Sequence, residues 1–205
     1  DWDYTRDSWR IANPSFGVDP ERDEVWGGDF ATWSSVTVTI DDPGTGDDPD
    51  FTTTLDTDDW GNFGTWTGEE FDIQPGFYVT VDDGVTPREH TVTGLAVTAI
   101  DTELDRVSGT AAPDSWVDVN AYGMASRHVQ ADSGGNWTAD FAVDDGSGTA
   151  DIGLGTEGEA LQFDDDYDHT RAMWRVPNPQ VGVDPERDEV WGSDMTALAS
   201  VAFTI

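Results

Sequence analysis

The 205-residue chain contains no cysteine and no lysine. Without cysteine there is no disulfide framework and no thiolate metal site, and the redox compartment cannot be read from cysteine usage. No apolar run approaches the ~18 residues that a membrane-spanning helix needs, so membrane insertion is not expected. Cations are scarce: all nine basic residues are arginine, against 43 acidic residues, for a formal net charge of −34. The clustered cations that bind phosphate are missing, which excludes nucleic acid as a partner and argues against anionic membranes. Signs of catalysis are thin as well. His90, His128 and His169 form no spaced metal triad, and no serine nucleophile elbow is present. Carboxylate pairs, the machinery of glycoside hydrolysis, are unavoidable among 43 acids and carry no signal. The chain does not read as an enzyme.

What the chain has is aromatic rings and repetition. Ten Trp and nine Phe argue against a disordered acidic tail, because such rings build cores. The acidity then belongs to the surface of folded modules. It fits calcium, a hard cation that takes carboxylate oxygens, and it equally fits solubility in a saline habitat.

Residues 166–205 repeat residues 1–40 at a constant offset of 165, with 24 of 40 positions identical and VDPERDEVWG unbroken in both. A chain that restarts its own sequence reads as a segment of a tandem array. A shorter period lies inside. The pattern D-x-E-x-D-x-V-x-G starts at Asp19, Asp101 and Asp184, 82 and then 83 residues apart. Asp58-Asp-Trp-Gly61-Asn62-Phe63 likewise matches Asp132-Ser-Gly-Gly135-Asn136-Trp137. The expected organisation is the end of one module at 1–8, whole modules at 9–94 and 95–175, and the opening strands of another at 176–205, the copy of 11–40.

Alternation with a period of two dominates. Val36, Val38 and Ile40 alternate with threonines; Val117, Val119 and Ala121 alternate with Asp118 and Asn120; Val201, Phe203 and Ile205 repeat the pattern. Phe77 to Val81 follows a Pro75-Gly76 turn, and the segments at His90 and at Ala150-Asp-Ile152-Gly-Leu154 predict further strands. No segment reads as a helix. About seven short strands per module, separated by Gly, Asp and Pro clusters, predict an all-β fold of small sandwiches.

Val107-Ser-Gly109-Thr-Ala-Ala-Pro113-Asp-Ser-Trp-Val117-Asp-Val119, followed by Asp132-Ser-Gly-Gly135-Asn136-Trp137, resembles the bacterial immunoglobulin-like domains of large surface proteins. Asp114 stands where those domains commonly have glycine. The resemblance covers about 95–155 well and 19–94 more loosely, through Val25-Trp-Gly27, Val36-Thr-Val38 and Gly61-Asn62-Phe63. It implies tandem immunoglobulin-like β-sandwiches in a string, as in adhesins, cell-wall proteins and extracellular fibres.

Several acidic groups are candidate calcium ligands. On an extended strand Asp19, Glu21 and Asp23 would point to one side, as would Asp101, Glu103 and Asp105, and Asp184, Glu186 and Asp188. At a module junction a facing loop could complete a shell of about six to eight oxygens. The alternative is a solvated acidic strand helped by Arg22 and Arg187. Asp164, Asp166 and Asp168 resemble the start of a calcium loop, but His169 and Arg175 stand where an EF-hand has glycine and its closing glutamate. Asp1 and Asp3 are the copies of Asp166 and Asp168. Further acidic loops lie at Asp41, Asp42, Asp47, Asp48 and Asp50, and at Asp56, Asp58 and Asp59.

Trp60, Trp66 and Trp137 offer a sugar-stacking platform if exposed and core if not. Phe63 and Trp137 share a repeat position and are expected inside. Trp9-Arg10 and Trp174-Arg175 suggest cation–π or wedge contacts at module boundaries. Asn136-Trp-Thr138 fits the N-glycosylation pattern. Taken together, the sequence predicts a structural segment of a secreted, cell-surface tandem-repeat protein: a fibre, stalk or adhesin shaft. Calcium would stiffen its junctions, and its end strands would exchange with neighbouring copies. The alternative is a carbohydrate-binding accessory module with a glycan partner.

Overall fold

The computed structural model describes residues 11–46, 49–195, 200–202 and 204. Residues 1–8, Trp9-Arg10, Asp47, Asp48, Phe203 and Ile205, on which some expectations fell, lie outside these. Sixteen strands and one 3-10 turn at Gly68–Glu70 are present, with no α-helix among the described residues. The chain divides into two compact units. One holds Asp1–Gly94 and Gln162–Arg171; the other holds Leu95–Leu161 and Ala172–Ile205. Residues 162–171, placed by sequence at the end of the second module, thus pack with the first unit.

In the first unit, β1 (Ser15–Asp19), β2 (Glu24–Gly28), β3 (Ser35–Asp41), β4 (Phe51–Asp56), β5 (Phe63–Trp66), β6 (Tyr78–Asp82) and β7 (Arg88–Thr91) form two sheets. Their orders are β1-β2-β5 and β4-β3-β6-β7. The apolar residues of the alternating strands point into one core: Phe16, Val18 and Val25 from one sheet meet Val36, Val38, Ile40, Val79 and Val81 from the other. The polar residues between them face water, which is the economy of a two-sheet sandwich.

The second unit repeats the plan with β8 (Ala96–Asp101), β9 (Arg106–Thr110), β10 (Trp116–Ala121), β11 (Ala125–Gln130), β12 (Asn136–Asp140), β13 (Glu157–Phe163) and β14 (His169–Arg175). Its sheets run β12-β9-β8 and β11-β10-β13 followed by β14, whose first residues pair in parallel with β1 within the first unit. Trp137, Phe141, Ile152 and Trp174 fill its core among valines and alanines. Ala150–Leu154, expected as a strand, is irregular. It is held by single bonds, Ala150 N to Phe141 O and Ile152 N to the Asp105 carboxylate, and joins no ladder. β15 (Gln180–Asp184) and β16 (Glu189–Ser193) then form a separate hairpin in the same register as β1 and β2: Val183 faces Val190 as Val18 faces Val25. Val201, expected in a strand, is not in one.

The D-x-E-x-D pattern is not an extended strand. In all three copies it closes a hairpin, β1–β2, β8–β9 and β15–β16. The first aspartate begins the turn: Asp19 Oδ1 accepts Glu21 N at 3.1 Å, Asp101 Oδ1 accepts Glu103 N at 3.0 Å, and Asp184 Oδ1 accepts Glu186 N at 3.0 Å. Such local bonds draw the backbone out of the extended form. The last aspartate is left-handed, with φ of 55° at Asp23, 53° at Asp105 and 56° at Asp188. Aspartate tolerates that region better than most side chains.

This left-handed aspartate reaches far. The Asp23 carbonyl accepts Thr67 N at 2.9 Å and its Oδ1 accepts Ile73 N at 2.8 Å. In the second unit the Asp105 carbonyl accepts Phe141 N at 2.8 Å and its Oδ1 accepts Ile152 N at 2.8 Å. Ile73 and Ile152 are buried, so neither amide has water as an alternative. Replacing Asp23 or Asp105 with Ala should cost about 1–3 kcal/mol through an orphaned buried N–H. Glu21→Ala, on the same turn, should stay within about 0.5 kcal/mol. Urea unfolding midpoints of the three variants test this; equal effects would remove the staple from the account.

Candidate functional site

The turn between β13 and β14 collects the acidic residues of 164–168, all in the first unit. Asp164 builds the loop. Its Oδ1 accepts Asp168 N at 2.9 Å and Asp166 N at 3.3 Å, while its own N–H donates to Asp168 O at 2.9 Å. Tyr167 completes the reversal at φ 73°. Ligand oxygens of Asp164, Asp166 and Asp168 lie within 4.8 Å of one another, and no other such group of three occurs among the described residues. The structure therefore brings together one of the four candidate metal sets. Asp19, Glu21 and Asp23 do not converge; nor do Asp101, Glu103 and Asp105, or Asp184, Glu186 and Asp188, because each set is distributed around a hairpin turn.

Three carboxylates this close need compensation. Arg88, from β7, supplies it: Nε donates to Asp168 Oδ2 at 3.1 Å, and Nη2 reaches the Asp166 carbonyl and its Oδ2 at 3.4 Å. Asp168 is closed to solvent, and its other oxygen accepts Phe16 N at 2.8 Å. Asp164 Oδ2 lies 2.7 Å from His90 Nδ1. The loop thus ties the start of β1 to β7 through one buried carboxylate.

His90 Nε2 lies 2.9 Å from Thr170 Oγ1, which also accepts Thr93 N at 2.9 Å. The row Asp164–His90–Thr170 has the order of a nucleophilic triad. However, Thr170 is 0% and His90 3% exposed, so the row has no face open to a substrate. One residue on, Arg171 donates to Asp19 Oδ2 and Glu24 Oε2, both at 3.0 Å, and lies 3.9 Å above the Trp26 ring. Asp19, proposed from sequence as a calcium ligand, is buried under this guanidinium.

Arg88, His90, Thr170 and Arg171 were not legible as a group, because their partners lie 74 to 152 residues away. The available signal was rarity: with nine cations against 43 acids, an arginine within a strand is a candidate partner for a carboxylate.

The titration of the cluster follows from its geometry. Burial pushes Asp168 up to about 6, against the Phe16 amide and Arg88. Burial also raises Asp164, but its hydrogen bonds to Asp166 and His90 outweigh this and leave it below the ordinary carboxylate value. Asp166, sharing its hydrogen bond with Asp164 and facing that charge, is raised.

Among the aromatic candidates, Trp137 and Phe63 are core, as their shared repeat position predicts, whereas Trp60 and Trp66 are exposed. Trp174 is buried, and Arg175 instead pairs with Glu157 and Asp194. Asn136 opens β12 with its amide on Asp132 at 3.2 Å.

No family model matches the chain, and no curated protein matches it. Among solved structures it is similar to a biofilm-associated protein, BSP domain, at 13% identity and a TM-score of 0.32, covering 81% of this chain and 29% of that one. It is also similar to a tetra-tandem repeat in the extending region of a large adhesion protein, at 14% identity and a TM-score of 0.28, covering 85% of this chain and 52% of that one. The chain spans about a third and a half of these two, and a likeness of this degree carries nothing about ligands or partners.

The raised pKa of Asp168 has a sign. A carboxyl raised in the folded state contributes stability that is complete below its unfolded value of about 4 and is lost as pH rises through about 6. Asp164 acts oppositely, losing its contribution as pH falls below about 4. Urea midpoints of the first unit's transition should therefore fall between pH 4.5 and 7, and Asp168→Asn should flatten that slope. A slope unchanged in the variant would assign it to other groups.

Proposed function

We propose that this chain is a segment of a tandem-repeat shaft in an extracellular surface protein of adhesin or fibre type, with neighbouring copies of itself as partners. One observation carries the reading. Two seven-stranded units share one hydrogen-bond skeleton, and a third hairpin begins again in the same register. Rods of repeated sandwiches use this plan to gain length from small cores. The chain, with 43 acids and no lysine, carries a strongly negative surface that stays solvated and self-repelling between beads.

The third hairpin supports the joining role. Phe16 and Val18 of β1 are sealed in the first core, but their counterparts Val181 and Val183 are 58% and 64% exposed. The same apolar face is thus covered in one copy and open in the other. In the first unit its cover is the sheet carrying Val36, Val38, Val79 and Val81. The equivalent sheet of a neighbouring copy would complete it, by strand exchange with β1–β2. Sedimentation should show association that strengthens with protein concentration, and Val183→Asp should leave a monomer. A wild-type chain that stays monomeric at all concentrations removes strand exchange from the reading.

Calcium is a second reading for the turn at 164–168. The convergence of Asp164, Asp166 and Asp168 favours it, with Asp166 open to solvent. Against it, Arg88 and backbone amides already take most of these oxygens, so an ion would have to displace the guanidinium to reach about six ligands. Millimolar calcium should raise the melting temperature of the wild type and of neither Asp166→Asn nor Asp164→Asn. A melting curve indifferent to calcium and to EDTA assigns the cluster to Arg88, His90 and the backbone amides.

A further inference from the structure

The internal repeat provides its own control, since the two units differ where one of them carries something extra. In the first unit the β2–β3 loop (29–34) and the β4–β5 loop (57–62) are tied together. Phe30 N donates to Gly61 O at 3.2 Å, Trp33 N to Asp58 O at 3.3 Å and Thr57 N to Ser34 O at 2.8 Å. The second unit ties the equivalent loops the same way, through Ala111 N to Gly135 O at 2.8 Å, Asp114 N to Asp132 O at 3.3 Å and Ala131 N to Ser115 O at 2.9 Å. Even the serine hydroxyls match: Ser34 bonds Ala31 O and Ser115 bonds Ala112 O, both at 2.6 Å.

On this shared frame Trp33 replaces Asp114 and Trp60 replaces Gly134. The frame needs neither indole, as the second unit shows. Both are among the most exposed large side chains described, at 77% and 76%, so they return little packing. Trp33 is moreover left-handed, with φ 55°, where its counterpart Asp114 has φ 60°. That region suits aspartate and disfavours a bulky side chain. A strained, solvent-exposed indole on a frame that works without it points to recognition.

We propose that Trp33 and Trp60 form a stacking platform for a neutral saccharide chain. An indole offers a flat apolar face that matches the C–H face of a pyranose ring. Next to the indoles in sequence, the exposed Thr32 and Asp59 offer oxygens that can accept from sugar hydroxyls. The loop that carries Trp60 is held by its own bonds: Asp58 Oδ1 accepts both Trp60 N and Asn62 N at 2.8 Å. The surrounding acids and the net charge of −34 repel uronates, sulfated glycans and anionic lipid. Two separate indoles are also too small an area for a stable protein interface, which takes about 1,000 Å². This site does not depend on the shaft reading, and either can stand without the other.

The test is affinity electrophoresis of the full chain through gels containing mannan, dextran, xyloglucan or mixed-linkage β-glucan, with alginate as the anionic control. Trp33→Asp and Trp60→Gly install the second unit's own residues, so the variants should melt no lower than the wild type. The expected result is retardation by at least one neutral polysaccharide and none by alginate. Each single variant should weaken it by about tenfold, the loss of roughly one aromatic stacking contact, and the double variant should abolish it. Failure of every neutral polysaccharide to retard the wild type overturns the proposal, as does retardation that survives the double variant. Co-sedimentation with phosphatidylcholine vesicles that requires both indoles, without saccharide binding, assigns the loops to a lipid surface and also overturns it.

Discussion

A left-handed aspartate at a hairpin tip is the constraint on which both units depend. Asp23 and Asp105 each turn the chain from one strand to the next, and in that conformation both the carbonyl and the carboxylate point away from their own ladder. Each then receives two amides from chain about 36 to 50 residues further on, Thr67 and Ile73 in one unit, Phe141 and Ile152 in the other. The segments around Ile73 and Ile152 belong to no sheet, so ladder bonds cannot position them. A single residue type in a single backbone state thus places the irregular limb that closes each sandwich. That requirement accounts for the shared third aspartate of the first two motifs better than metal binding does.

The second constraint is charge. With nine arginines among 43 acids, most carboxylates must be satisfied by backbone amides or water, and the turns show this repeatedly. Asp58 and Asp132 each accept the amides two and four residues on, which holds both below the ordinary carboxylate value. The arginines sit where amides are insufficient. Arg88 and Arg171 cover the buried Asp168 and Asp19. Arg127, itself buried, gathers the carbonyls of Asp140, Val143 and Gly148 and holds the loop after β12. A chain so acidic folds because its acids are largely local structural elements rather than a diffuse coat.

Much of the fold was legible because it is written with a period of two. Val36-Val38-Ile40 and Val117-Val119-Ala121 are inward rows in both units, and the Phe63–Trp137 correspondence identified a core position. The hairpin tips were misread for a physical reason. Asp, Glu and Asp at alternate positions look like one face of a strand, and only backbone conformation reveals the turn. The 164–168 turn was legible as an acidic loop, but its partners were not: Arg88, His90 and Thr170 reach it from distant sequence, and no local pattern encodes that. Ala150–Leu154 failed for the complementary reason, since alternation without a neighbouring strand makes no sheet.

Repetition changes what a side chain can be taken to mean. In a single domain an exposed tryptophan is unremarkable, because folded surfaces are largely apolar. Here the same backbone hydrogen bonds exist twice, and the comparison separates what the frame needs from what it merely carries. Asp23 and Asp105 are needed, because both units use them identically. Phe16 and Val18 are buried where the hairpin is covered, and their counterparts Val181 and Val183 are exposed where it is not. Trp33 and Trp60 are not needed, because Asp114 and Gly134 hold the same loops. Trp33 strains its backbone, both indoles gain little burial, and each has a working substitute in the same chain, so the frame does not account for them.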